Sequence, residues 1–177
     1  MEKKEALKKD RINFTKRGIF VTKLAEELTK KLKPYCKKIK IVGSIRRHEK
    51  NPYDIDIVLI PKNHERKEKI ERFLKTRGTY IQGGEKEATF KIKNVKVELY
   101  YTIPKEWGAE LLAYSSKKGA GIGLRVIAKK KGLKLSQHGL FKDHKFIAGK
   151  TEEEIYKALE RPLKPPEKRW FKNYPPR

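Results

Sequence analysis

The sequence predicts an α+β chain: a mixed or antiparallel sheet with helices on one face over residues 1–104, then a small α+β lobe over residues 105–177. Three observations carry this expectation. Short apolar runs, several alternating with lysine or acid (Ile39-Lys40-Ile41, Ile55 to Ile60, Val95 to Leu99), read as strands, some of them wet on one side. Between them lie stretches with apolar residues every three or four positions, which read as amphipathic helices. Pro104 stands where strand patterning gives way to helix patterning, so the boundary is placed there.

Taken in order, residues 1–17 are mostly charged, with a helix expected early and Ile12 and Phe14 as its anchors. Phe20, Leu24, Leu28 and Leu32, with Ala25 beside them, form the buried stripe of a helix that Pro34 stops and that should cover the back of the sheet. Lys38 to Val42 is the first strand. Gly43-Ser44 interrupts it, a basic segment with Arg46 and Arg47 follows, and Asp54 to Ile60 is the second strand, ended by Pro61. Asn63 caps a helix that buries Ile70, Phe73 and Leu74 and that Gly78 closes. Tyr80-Ile81 leads to a Gly83-Gly84 turn, after which Ala88 to Lys93 pairs with Val95 to Tyr101 across a tight turn at Asn94.

Beyond Pro104, Trp107, Leu111 and Leu112 mark one helix, and Ile122, Val126 and Ile127 a second that carries Arg125 and ends in Lys129, Lys130 and Lys131. Gly119, Gly121 and Gly123 resemble a phosphate loop only superficially, because no strand precedes them. Leu133 to Leu135, Gly139 to Phe141 and Phe146-Ile147 read as short strands. Thr151 with Glu154 makes a capping box for a helix reaching about Leu159. The rest is proline-rich and basic, with Trp170, Phe171 and Tyr174 interleaved. His48, His64, His138 and His144 show no ligand spacing and receive no chemical role.

Composition narrows the function. Forty-six Lys and Arg against 22 acidic residues give a formal charge of +24, in a chain that is 37% hydrophobic and so able to fold. A folded domain this basic binds polyanions, and nucleic acid is the economical partner because neutralising phosphates releases counterions. An anionic membrane surface is the rival, disfavoured because the basic residues are spread through core elements rather than gathered on one amphipathic helix. Cys36 stands alone, so no disulfide forms within the chain, and a reduced intracellular setting is expected. No apolar run approaches the roughly 20 residues that cross a bilayer, and the N-terminus lacks a secretion signal's apolar core.

The chemistry concentrates around Gly43. In a strand, side chains two apart share a face, so Asp54 and Asp56 point together, a spacing suited to gripping divalent cations. Glycine permits close backbone approach to a ligand, Ser44 adds a hydroxyl, and Arg47 a guanidinium suited to phosphate. The combination suggests a triphosphate on the Gly-Ser side with Mg2+ between it and the aspartates. Alternation leaves Glu98 with Lys96 and Tyr100 on the face opposite Val97 and Leu99. Two-metal phosphoryl chemistry needs a further ligand near the nucleophile, and Glu98 is the candidate if its strand neighbours that of Asp56.

Gly43-Ser44-x-Arg46-Arg47, then Asp54-x-Asp56 and a later acidic strand, resembles the palm of the nucleotidyltransferase superfamily and, within it, the family X DNA polymerases, the polymerase beta group. The likeness runs over roughly residues 20 to 170. It continues through Leu111-Leu112-Ala113-Tyr114-Ser115-Ser116, the Arg125 helix, Leu135-Ser136-Gln137-His138-Gly139-Leu140-Phe141, and Arg161-Pro162 to Arg169. The resemblance implies a palm and a smaller gripping lobe, two Mg2+ ions (or Mn2+) on Asp54, Asp56 and Glu98, and a nucleoside triphosphate held by Gly43, Ser44, Arg46, Arg47, Tyr114, Ser115 and Ser116. It further implies a DNA primer-template or gapped duplex on Arg125, Lys129, Lys130 and Lys131, short-gap filling in repair by a monomer, and no N-terminal lyase domain. The chain departs from the family in having Glu98 where Asp is usual, Ala113-Tyr114-Ser115-Ser116 where an aromatic pair precedes Thr-Gly, and no Asp or Asn in Lys117 to Gly121. The alternatives are a template-independent nucleotidyltransferase acting on RNA ends or another acceptor, and a catalytically weak nucleic-acid-binding relative.

Overall fold

The computed structural model describes residues 14–169, apart from the side-chain placement at residues 118 and 119. The helix expected early in residues 1–17 and the aromatics of the tail lie outside the described residues.

Helix α1 (Lys16–Leu32) begins where Thr15 accepts a hydrogen bond from Gly18 N at 2.9 Å, and it ends as Pro34 enters a single 3-10 turn. Strand β1 (Cys36–Ile41) runs antiparallel to β2 (Ile55–Pro61), and the short helix α2 (Gly43–Arg46) fills the link between them. Helix α3 (His64–Lys75) is capped by Asn63, whose side chain accepts from Arg66 N at 2.9 Å. Gly78 does not close α3, as the sequence suggested; Thr76 caps it and Gly78 opens β3 (Gly78–Gly83). Strands β4 (Glu87–Ile92) and β5 (Val95–Tyr101) form the expected hairpin, its turn made by Lys93 and Asn94, both at positive φ.

The five strands order β1-β2-β5-β4-β3, so β2 and β5, distant in sequence, are parallel neighbours at the centre of the sheet. Alternation then divides the side chains. Ile55, Ile57 and Leu59 of β2, Val97 and Leu99 of β5 and Phe90 of β4 pack against Val21, Leu24 and Leu28 of α1 and Ile70 and Leu74 of α3. Asp56, Glu98 and Tyr100 therefore face the other side, away from those two helices.

That second face is partly covered by the C-terminal region: α4 (Trp107–Ser115), α5 (Lys118–Lys130), the antiparallel strands β6 (Lys134–Ser136), β7 (Gly139–Lys142) and β8 (Lys145–Ala148), and α6 (Glu152–Ala158). Its own core joins Ala109, Leu112, Leu124, Ala128, Leu140, Ile155 and Leu159. Thr151 caps α6 by accepting from Glu154 N at 3.1 Å, as the capping box predicts. Leu111 of α4 meets Val42 and Val58 on the sheet in a small buried cluster, with Trp107, Tyr100 and Tyr114 around it. Among the described residues no helix is long and apolar enough to cross a membrane.

A candidate active-site cleft

The central strand pair fixes the acids. Asp56 and Glu98 are direct register partners across parallel β2 and β5, so their side chains leave the same face of adjacent strands. Asp54 is exposed and lies one residue before β2 begins, so it belongs to the loop mouth rather than to the strand face the sequence suggested. Gly43 completes the arrangement. Its φ is +62°, a left-handed conformation that glycine adopts without strain, and a methyl group at its Cα would collide with Asp56 Oδ2. Val42 N donates to Asp56 O at 2.8 Å, tying the entry of α2 to the acid-bearing strand.

The electrostatics follow from this crowding. Burial, then the facing Glu98, push the Asp56 carboxyl up to about 6, with Asp54 adding to the rise. The Tyr100 hydroxyl opposes it by donating to Asp56 Oδ1 at 3.3 Å. Tyr100 is itself held far above its ordinary phenol range by burial and by Asp56, so it remains a donor. Lys96 Nζ sits 2.9 Å from Glu98 Oε1, the neighbouring cation on this face. The three carboxylates do not close to within 4.8 Å of one another, as one other trio among the described residues does.

Beside Asp54 and Asp56 opens a cleft of about 480 Å³. Gly43, Ser44, Arg47, Asp54, Asp56, Tyr114 and Ser116 all line it, half of the fourteen residues singled out from sequence, while Glu98 is not among the lining residues. Tyr114 stacks on Tyr100 with ring centroids 3.7 Å apart and planes 17° apart, carrying α4 up to the acid pair. Glu49, Asn51 and Tyr53 also line the cleft and were not foreseen. They sit in the loop between α2 and β2, where no periodicity marks them. Arg47 Nε donates to Glu49 Oε1 at 2.9 Å, so this guanidinium reaches the cleft already braced.

Six further sequence candidates are placed outside the cleft lining. Arg46 donates to both oxygens of Glu152, at 3.0 and 2.7 Å, and to Ser115 Oγ at 2.6 Å; Ser115 is fully buried. Arg169 Nη1 donates to the same Glu152 Oε1 at 2.7 Å. Burial raises the Glu152 acid, but the two guanidiniums outweigh it and hold the carboxyl below its usual range. Arg46 and Ser115 thus join the two halves of the chain rather than line the cleft. Arg125, Lys129 and Lys130 are exposed on α5, whereas Lys131 is paired with Glu160.

Residues 111–170 match the family model described as DNA polymerase beta thumb. The chain is 28% identical over 147 residues to the repair DNA polymerase X of an African swine fever virus pig isolate from Kenya, covering 78% of this chain and 84% of that protein. It is 30% identical over the same span to the repair DNA polymerase X of a warthog isolate of that virus from Namibia, with the same coverage.

Proposed function

The chain belongs to the family X DNA polymerases, and from that membership we propose that it fills short gaps in duplex DNA by magnesium-dependent nucleotidyl transfer to a primer 3′-hydroxyl. The observation that carries the reading is the pairing of Asp56 with Glu98 on neighbouring parallel strands, with Gly43 against the Asp56 carboxylate. Palm and gripping lobe divide near Pro104 in this reading.

Asp54, Asp56 and Glu98 fit divalent cations chemically. The Asp56 carboxyl is pushed up by burial first and then by Glu98 and Asp54, and a cation of hard, oxygen-seeking character offsets both the lost solvation and the repulsion. Mg2+ is the expected ion, with Mn2+ able to replace it; when bound it would neutralise charge on the phosphates and favour ionisation of the attacking hydroxyl. Everything else falls to the chain. The Ser44 hydroxyl and the Arg47 guanidinium, held by Glu49, receive the triphosphate tail by charge-assisted hydrogen bonds. Tyr114, backed by Tyr100, supports the sugar, and Ser116 lines the same wall. Arg125, Lys129 and Lys130 grip backbone phosphates of the duplex. Positioning and preorganised charge supply most of the acceleration.

The test is incorporation on a one-nucleotide-gapped duplex against a single strand, with deoxy- and ribonucleoside triphosphates, in Mg2+. Templated addition that disappears in Asp56→Ala supports the reading. Equal extension without a template would replace it by the template-independent alternative, and incorporation that survives Asp56→Ala would remove the site.

A further inference from the structure

Outside the cleft, a different set of ligating side chains converges. Glu106 and Glu110 stand at i and i+4 at the start of α4, on one helix face, and His138 meets them from the β6–β7 turn. One ligand atom from each lies within 4.8 Å of the other two. Glu106 Oε2 and His138 Nδ1 are 2.9 Å apart. Glu110 is the anomaly of the group: only 5% of it is exposed, and its Oε2 is buried with no hydrogen-bond partner among the described residues. Its neighbours Ala109, Leu111 and Leu112 are apolar and buried, so packing alone gives no reason for a carboxylate there. Burial raises its acid to about 7 while His138 opposes the rise. An ion pair between Glu106 and His138 accounts for two of the three groups and leaves the third unexplained.

We propose that Glu106, Glu110 and His138 bind one divalent transition-metal ion, best matched by Zn2+, which clamps the first turn of α4 to the β6–β7 hairpin. Zn2+ accepts imidazole nitrogen together with carboxylate oxygen, and three protein ligands leave a fourth tetrahedral position to water. Its ligand atoms stand roughly 3.3 Å apart on a tetrahedral edge, by the usual bond lengths. Side-chain rotation of the two glutamates closes the difference from the present spacing. Mg2+ prefers an all-oxygen octahedron and keeps its waters, so the ion here differs in kind from those proposed for Asp54, Asp56 and Glu98. The site sits in the C-terminal lobe and would stiffen it without taking part in nucleotidyl transfer.

The experiment dialyses the full chain against Zn2+ in excess Mg2+, as wild type, Asp56→Asn, Glu110→Gln and His138→Ala, and counts bound zinc. Wild type and Asp56→Asn are expected to retain one ion per chain. At a hundredfold excess over Kd their unfolding midpoint should rise by about 5–10 °C. Glu110→Gln keeps the side-chain shape and removes a buried charge, so it should fold and yet lose both effects, as should His138→Ala. Co2+ in place of Zn2+ should give tetrahedral visible absorption in the wild type and none in Glu110→Gln. The proposal is overturned if the wild type retains no zinc, if retention survives either ligand variant, or if it is lost in Asp56→Asn.

Discussion

Glu152→Ala is the sharpest test of how the two lobes are joined. Glu152 accepts from Arg46 at 3.0 and 2.7 Å and from Arg169 at 2.7 Å, and the three side chains are 11%, 15% and 2% exposed. Truncation leaves two guanidiniums facing each other with no counter-charge in a mostly dry joint. Removing one member of a buried ion pair typically costs about 3–5 kcal/mol. For a chain of this length that corresponds to a fall of about 6–20 °C in the unfolding midpoint. The pH dependence supplies an internal control. Because the folded-state pKa of Glu152 is depressed, its contribution is present above the ordinary carboxylate value and is lost as pH falls through the folded value. Denaturant unfolding of wild type and variant at pH 7 and at pH 3 measures both. A difference within about 0.5 kcal/mol at pH 7, the range of an ordinary surface substitution, would refute the joint. So would a deficit of equal size at pH 3.

Three further outcomes follow from the cleft. Asp56→Asn should abolish incorporation and yet stabilise the chelator-treated protein: the Asp56 acid rises from 3.8 to about 6, so its cost is absent below the lower value and complete above the upper. At about 1.4 kcal/mol per pH unit the gain is about 3 kcal/mol at pH 8, read by urea unfolding. Gly43→Ala should both strain a left-handed residue, at about 1–2 kcal/mol, and displace Asp56 Oδ2, so activity should fall far more than stability. Arg47→Ala should raise the nucleotide KM about tenfold or more, the worth of one charge-assisted hydrogen bond, and an unchanged KM would remove Arg47 from the phosphate subsite.

What the sequence revealed and what it hid have a common physical reason. Alternation along Val95 to Tyr101 was enough to turn Glu98 away from the apolar face, and the caps of α3 and α6 were readable because a cap is local, with Asn63 and Thr151 each bonding a residue three positions on. Arg46 looked like a phosphate ligand by its place beside Arg47, but its partner Glu152 lies 106 residues away and leaves no periodic trace. His138 was passed over for the same cause: Glu106 and Glu110 show helical spacing, and only the β6–β7 turn brings an imidazole to them. Asp54 fell outside β2 because strand pairing with β5 begins at Ile55. The charge run Lys129 to Lys131 could not disclose that its last member is engaged by Glu160.

The parallel pairing of β2 with β5 also bears on synthesis. Asp56 cannot meet Glu98 until α3 and the β3–β4–β5 meander between them have been made and docked, whereas the β4–β5 hairpin closes across two residues. Contacts of such wide sequence separation form late, after the loop-closure entropy has been met. A nascent chain still lacking β5 would carry Gly43, Ser44 and both aspartates without the strand that faces Asp56 with Glu98, so on the function proposed above a ribosome-bound fragment ending before Val95 should be inactive.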